Sequence, residues 1–334
     1  MLKKKGDNVM GILLFILLII GFILLVKGAD IFVDGSSSLA RRLKVPGLII
    51  GLTIVAMGTS MPEFAVSTVA AFKGANEIAL SNVVGSNIFN LLSVLGVCAI
   101  LCPVPVETAV LKRDFPVSVI ITFLLLPITG AYNAYLRPEL MESMYDTIGI
   151  IGRHEGLLLI ICFVAYMIIL IVSAGRNHVD EDDEEVASFK KCVLYIASGL
   201  IMIILGGQAV VHSAREIAVL FGMSETLIGL TIVAVGTSLP ELVTSIVAAR
   251  KGETSLAIGN VIGSNIFNII FILGASALID PIGVNYASAF DIGILVVVTI
   301  FVYLSLLVSK SLNRFHGTAM VLIYIASVVF AALR

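Results

Sequence analysis

Apolar residues run through this chain in blocks of about 20 or more, long enough to cross the hydrocarbon core of a bilayer as helices. In lipid every backbone N–H and C=O must find its partner within the chain, so such blocks fold as helices and not as open sheets. They lack the short alternating segments of an outer-membrane barrel. Composition agrees. Of the 334 residues 59% are hydrophobic and 13% charged, whereas soluble domains run at about 45–50% and about 25%. Ten spans are expected, at about 9–34, 46–71, 76–101, 115–135, 155–173, 191–220, 224–249, 254–280, 287–308 and 317–333. Lys3-Lys4-Lys5 followed by the apolar run Val9 to Val26 mimics a signal peptide. The run is too long and no small-residue cleavage site follows, so it reads as the first span.

One long polar stretch interrupts the pattern. Gly175 to Lys190, with Asp180-Glu181-Asp182-Asp183-Glu184-Glu185, separates the fifth block from the sixth. It lacks the glycine turn and ordered ligand spacing of a calcium loop, so it reads as a solvated linker. The halves on either side are copies of one another. Residues 51–96 align without gaps on residues 229–274, at an offset of 178, with 28 of 46 positions identical. Outside these cores the match is faint, as in Gly28 with Gly206. The expected organisation is a first five-helix repeat over 1–174, an acidic cytoplasmic linker over 175–190 and a second repeat over 191–334. Five is odd, so the second half enters the membrane from the opposite side. Inverted repeats of this kind build secondary transporters, with the ion site near the midplane at the repeat interface. The expected fold class is therefore an all-α integral membrane protein, ten transmembrane helices in two inverted-topology repeats of five.

Loop Lys and Arg set the orientation. Twelve lie on the linker's side and eight on the other. That puts the linker in the cytoplasm and both termini outside a multi-pass protein of the cytoplasmic membrane, although Lys3, Lys4 and Lys5 argue the other way. No basic patch with interleaved aromatics is present, so nucleic acid is not a partner. No nucleophile–base pair, phosphate loop or cofactor motif suggests an enzyme or a cofactor. Cys98, Cys102, Cys162 and Cys192 sit in apolar segments without His or carboxylate beside them and read as packing residues. The four histidines form no spacing motif and read as boundary or loop residues.

Each half carries Gly-Thr-Ser-x-Pro-Glu, as Gly58 to Glu63 and as Gly236 to Glu241. A carboxylate at bilayer depth is costly and marks a functional site. Pro62 and Pro240 lack an N–H, and each ring clashes with the carbonyl four residues back, so each helix bends or breaks there. Carbonyls around Ala56 to Gly58 and Ala234 to Gly236 are expected to lose their intrahelical partners, which lipid tolerates only where the backbone lines a cavity or meets another partner. A bound cation is such a partner. With the hydroxyls of Thr59, Ser60, Thr237 and Ser238, the motifs supply hard oxygen ligands of the kind Ca²⁺ prefers and Na⁺ accepts. In the next helix Asn82, Ser86 and Asn90 recur at every fourth residue along one face, and Asn260, Ser264 and Asn268 repeat the stripe.

Gly, Ser and Asn also serve membrane helices as packing devices and interhelical hydrogen-bonding groups. That reading suits Asn82, Asn87, Asn260 and Asn265 as well as a ligand role does. Ser86, Asn90, Ser264 and Asn268 read first as ligands, and Glu63 and Glu241 as ligands over a pair of protonated core acids. Asp30 and Asp34, whose repeat counterparts are Gln208 and His212, read as interfacial. Two ionised carboxylates facing each other are neutralised by one Ca²⁺, and desolvating both without a counter-ion is prohibitive. The site therefore crosses loaded, as an obligate exchanger requires, with Ca²⁺ one way and Na⁺ or H⁺ the other. A cation channel is the reading from another class, but channels gain carboxylate rings from oligomeric symmetry. Here two inverted halves form a closed pair within one chain, which functions as a monomer.

These paired motifs, each followed by Gly-Ser-Asn-Ile-Phe-Asn, resemble the Ca²⁺/cation antiporter superfamily and, within it, the prokaryotic sodium/calcium exchangers. The motifs cover about a quarter of the chain, and the double occurrence is specific. The resemblance implies ion ligands at Glu63, Thr59, Ser60, Ser86 and the carbonyl of Ala56, and at Glu241, Thr237, Ser238, Ser264 and the carbonyl of Ala234. It implies alternating access by sliding of the first and sixth spans, and electrogenic exchange of several Na⁺ for each Ca²⁺. Some relatives, K⁺-dependent members included, carry Asp at the position of Asn268; Asn here argues against K⁺ co-transport. The proton-coupled branch typically lacks the Thr-Ser-x-Pro-Glu form, which leaves Ca²⁺/H⁺ antiport as the alternative.

Overall fold

The computed structural model describes residues 2–136, 143–176, 187–221, 223 and 234–333. Its helices follow the apolar blocks. Helix α1 (Leu2–Leu43) ends just before Pro46, where Lys44 takes a left-handed backbone with φ 55° and the residue before a proline is pushed out of the helical region. Helices α2 (Gly47–Thr59) and α3 (Met61–Phe72) meet at a bend of 48°. Then come α4 (Glu77–Leu101), α5 (Phe115–Thr129), α6 (Arg153–Arg176), α7 (Phe189–Leu220), α8 (Leu239–Arg250), α9 (Thr254–Ile279), α10 (Tyr286–Ser309) and α11 (Arg314–Leu333). Helix α4 widens into a π turn at Asn90–Val94, and α9 does so at Asn268–Leu273.

Among the described residues six helices are long and apolar enough to cross a membrane, or seven if α2 and α3 form a single span. Length explains why this is fewer than the ten expected. Helix α5 has 15 residues, and the apolar part of α11 falls below the 18 needed. Residues 224–233, the first part of the expected seventh span, lie outside the described residues, as does the acidic run Asp180 to Glu185.

Apolar side chains cover the outside as well as the core, and a polar cluster is buried at the centre. Side chains such as Ile12, Ile19 and Phe22 of α1, Ile161 and Ile168 of α6 and Leu194 and Ile201 of α7 are exposed, while Thr59, Ser60, Glu63, Asn87, Ser238, Asn260, Ser264 and Asn268 are all fully buried. An apolar exterior around a buried polar cluster suits a chain solvated by lipid. The centre is α4 and α9. In their most apolar stretches 83% and 78% of residues are buried, against 28% for α1 and for α7.

Helices α1 and α7 lie against each other antiparallel, Gly21 beside Val210, Gly28 beside Ile203 and Gly35 beside Ile196. A Cβ on Gly199 would stand 2.6 Å from the Phe32 nitrogen. Only glycine permits this backbone-on-backbone approach, the usual basis of helix association where lipid removes the hydrophobic driving force.

Short strands tie the loops together in a matched pattern. Val104–Pro105, after α4, pairs antiparallel with Ser311–Leu312, before α11. Ile282–Asn285, after α9, pairs antiparallel with Thr147–Ile151, before α6. Glycine contacts repeat the exchange: Gly96 of α4 meets Gly317 of α11, and Gly274 of α9 meets Gly156 of α6. In both cases an element of one half docks on the other half.

Candidate functional site

Both Thr-Ser-x-Pro-Glu motifs form a bend with nearly the same backbone. Ser60 has φ −84° and ψ 9°, Ser238 has φ −89° and ψ 8°, and Pro62 and Pro240 sit in the first turn of α3 and α8. Proline is tolerated there because its missing N–H would be unpaired anyway. Glu63 and Glu241 fall in the same first turns, where the partial positive charge of the helix N-terminus favours an anion.

The glutamates are cross-bonded between the halves. Ser60 Oγ donates to Glu241 Oε1 at 2.7 Å, and Ser238 Oγ donates to Glu63 Oε1 at 3.0 Å. Ser86 Oγ reaches the same Glu63 oxygen at 3.5 Å. Thr59 Oγ1 donates to Asn260 Oδ1 at 3.0 Å, and Ser264 Oγ to the Ala56 carbonyl at 3.4 Å. Two asparagines brace the backbone from behind. Asn82 Nδ2 donates to the Glu63 carbonyl at 3.2 Å and to Ser67 Oγ at 3.0 Å. Its repeat mate Asn260 does the same to the Glu241 carbonyl at 3.4 Å and to Ser245 Oγ at 2.9 Å.

What lacks a partner is equally informative. Glu63 Oε2, Glu241 Oε2, Thr237 Oγ1, Asn268 Oδ1 and both polar side-chain atoms of Asn90 are buried without a hydrogen bond. Native proteins leave few such groups, and each calls for an explanation such as an ion. Among the described residues the ion pairs lie elsewhere, at Arg41–Glu253, Arg113–Asp114, Arg215–Glu216 and Lys251 with Asp30 and Asp34. No cluster of three His, Cys, Asp or Glu is found among the described residues. A cation here would meet two carboxylates and otherwise neutral oxygens, a hard donor set.

The structure thus brings together Glu63, Glu241, Ser60, Ser238, Ser86, Thr59, Ser264 and Ala56 through the hydrogen bonds above. Thr237 adjoins Ser238, and Ala234 lies in the helical turn Ala234–Gly236 before the second bend. Asn90 and Asn268 sit one helical turn after Ser86 and Ser264, at the start of the π turns. One expectation is corrected. The Ala56 carbonyl has not lost its intrahelical partner, since it accepts from the Ser60 N–H at 3.1 Å. Pro62 removes the donor to the carbonyl four residues back, which is Gly58, and the helix holds its register through Ser60. The packing partners of Asn82, Asn87, Asn260 and Asn265 were not evident from the sequence, although all four keep their identity between the copies. Asp30 and Asp34 are partly exposed and pair with Lys251, a pairing that had no signal in local periodicity.

Comparison with known proteins points the same way. The family model described as sodium/calcium exchanger protein matches residues 13–172 and 191–333. The putative antiporter CaxA of Alkalimonas amylolytica is 38% identical over 82% of this chain and 83% of its own. The sodium/calcium exchanger MaX1 of Methanosarcina acetivorans is 34% identical over 94% of this chain and 97% of its own. Among solved structures, the sodium-calcium exchanger NCX_Mj soaked with 2.5 mM Na⁺ and 0.1 mM Ca²⁺ superposes with a TM-score of 0.78 at 29% identity, covering 97% of this chain and 99% of that one. With both halves matched by one family model and relatives at least 34% identical over more than four-fifths of each chain, this chain belongs to the sodium/calcium exchanger family.

Proposed function

We propose that this protein exchanges Na⁺ for Ca²⁺ across the cytoplasmic membrane, through one midplane site shared by Glu63 and Glu241. The observation that carries the reading is the reciprocal hydrogen bonding of Ser60 to Glu241 and of Ser238 to Glu63, which leaves one oxygen of each carboxylate unpartnered. The ligands are the two glutamates, the hydroxyls of Thr59, Ser60, Ser86, Thr237, Ser238 and Ser264, the amide oxygens of Asn90 and Asn268, and the carbonyls of Ala56 and Ala234. Two buried carboxylates without a basic partner are costly to carry empty. A site loaded with Ca²⁺ in one direction and Na⁺ in the other avoids that state.

Ten spans in two inverted halves, 1–174 and 191–334, supply the frame. The strand pairs support it: the loops after the third and ninth spans meet each other, as do the loops after the fourth and eighth. Loops of equal parity share a side only if the second half is inverted. The low burial of α1 and α7 beside that of α4 and α9 supports sliding of the first pair over a fixed core. In this arrangement the linker is cytoplasmic, both termini are outside and one chain suffices for transport. Asn at both 90 and 268 leaves two acids in the site and no K⁺ requirement. The test is uptake of radiolabelled Ca²⁺ by proteoliposomes loaded with Na⁺, K⁺ or acid. Uptake driven by outward Na⁺ alone is expected. Uptake driven by a proton gradient would make the protein a Ca²⁺/H⁺ antiporter, and uptake without any counter-ion would make it a channel.

A further inference from the structure

A second reciprocal pair lies one residue beyond the site serines. Asn87 Nδ2 donates to the Asn265 carbonyl at 3.1 Å, and Asn265 Nδ2 donates to the Asn87 carbonyl at 3.3 Å. The two are repeat mates at the offset of 178, both buried, so each meets its own copy across the axis relating the halves. They fasten α4 to α9 just ahead of the π turns at Asn90 and Asn268. A π turn changes which way the following side chains point and recurs at functional sites. A clamp next to it fixes where the serine before and the asparagine after are aimed.

The clamp is not symmetrical in what it does next. Asn87 Oδ1 accepts from Asn268 Nδ2 at 3.0 Å, which turns the Asn268 amide nitrogen away and leaves its oxygen unpartnered. The mirror bond, from Asn90 Nδ2 to Asn265 Oδ1, is not made, and both of those atoms stand unpartnered. We propose that Asn87 and Asn265 are positioning residues of the ion site, and that Asn87 alone also orients Asn268 so that its amide oxygen is left for the cation. The proposal rests on the exchanger reading above.

The two residues are equivalent in the repeat, in burial and in the backbone bond they make. A purely structural role predicts equal losses from Asn87→Ala and Asn265→Ala. Orientation of Asn268 predicts unequal ones. The experiment is protection of the purified protein from thermal unfolding by Ca²⁺, with Na⁺-driven Ca²⁺ uptake measured in parallel. Asn87→Ala should need about three- to tenfold more Ca²⁺ for half-protection than Asn265→Ala, the span one hydrogen bond supplies. The same ratio should appear in the half-saturating Ca²⁺ for uptake, with little difference in maximal rate. In an Asn268→Ala background the excess should vanish. Asn87→Asp keeps the accepting oxygen and should bind Ca²⁺ no more weakly than Asn265→Ala, which keeps the test open if Asn87→Ala does not fold. Equal shifts in the two alanine variants, or weaker binding by Asn87→Asp, overturn the proposal while the exchanger reading stands. A wild-type protein that Ca²⁺ does not protect overturns both.

Discussion

Replacing Gly263 by alanine should damage the proposed ion site from outside it. A Cβ built on Gly263 lies 2.7 Å from each of the Ala56 Cβ, the Leu52 Cα and the Leu52 carbonyl oxygen, where ordinary contact begins at 3.4 Å. All three belong to helix backbone or its nearest side-chain carbon, so no flexible group can swing aside. Helix α9 must retreat from α2 by about 0.7 Å. The Thr59–Asn260 bond of 3.0 Å and the Ser264–Ala56 bond of 3.4 Å span that interface. Both would stretch to about 3.7 Å or more, out of hydrogen-bond range. Overpacking costs about 1–3 kcal/mol and each lost hydrogen bond about 0.5–1.5 kcal/mol. Together the loss is about 2–6 kcal/mol, divided between stability and cation binding. Thermal unfolding of the purified protein, with and without Ca²⁺, separates the two parts. The variant should melt lower and need more Ca²⁺ for protection. Gly47→Ala is the control, because among the described residues its Cβ meets nothing within 4 Å. Wild-type melting and wild-type Ca²⁺ protection in Gly263→Ala would refute the reasoning.

Three further outcomes follow from other parts of the chain. Lys251 joins α8 to α1 through Asp30 at 2.7 Å and Asp34 at 2.6 Å. Partial burial pulls its pKa down, but the hydrogen bonds and charges of the two aspartates more than reverse this, and it stands above the usual lysine value. A lysine raised in this way contributes stability in full below its unfolded pKa of about 10.4 and loses it as pH rises through the folded value. Lys251→Ala should therefore lower stability at neutral pH and low salt, by less than about 1 kcal/mol for each partly exposed pair, seen as a lower melting temperature. The deficit should close in strongly alkaline buffer; a deficit that persists there would show that charge is not its cause. Removal of Asp180 to Glu185 should leave exchange intact, and a folded but inactive deletion variant would give the linker a part in transport. Exchange should continue when K⁺ is withdrawn from both sides of the membrane, and its arrest would contradict the account of Asn268.

Much of this architecture is legible in the sequence because lipid leaves few choices. Each apolar block must close its own hydrogen bonds, so α1, α4, α7, α9 and α10 fall where hydropathy puts them. The site is legible for a different reason. The two halves carry the same motifs and pack against each other, so a motif present twice can meet itself. Ser60 with Glu241 and Ser238 with Glu63 are such a meeting, and so are Asn87 and Asn265. What the sequence hides is any contact that breaks this symmetry. Lys251 has Lys73 as its mate, but Asp30 and Asp34 have Gln208 and His212, so nothing in the repeat suggests the ion pairs. Asn268 bonds Asn87 while Asn90 bonds nothing, although the two segments read alike. The Ala56 carbonyl keeps its donor, the Ser60 N–H, because Pro62 removes only the donor to the carbonyl of Gly58, four residues back.

The measurement closest to the central claim is equilibrium binding of radiolabelled Ca²⁺ to the purified protein and to Glu63→Gln and Glu241→Gln. If the two carboxylates share one cation, the wild type shows a single class of Ca²⁺ sites that Na⁺ displaces. Either substitution then abolishes that binding without unfolding the protein. Separate sites that survive one substitution each, or Ca²⁺ bound as tightly by both variants as by the wild type, would contradict the account.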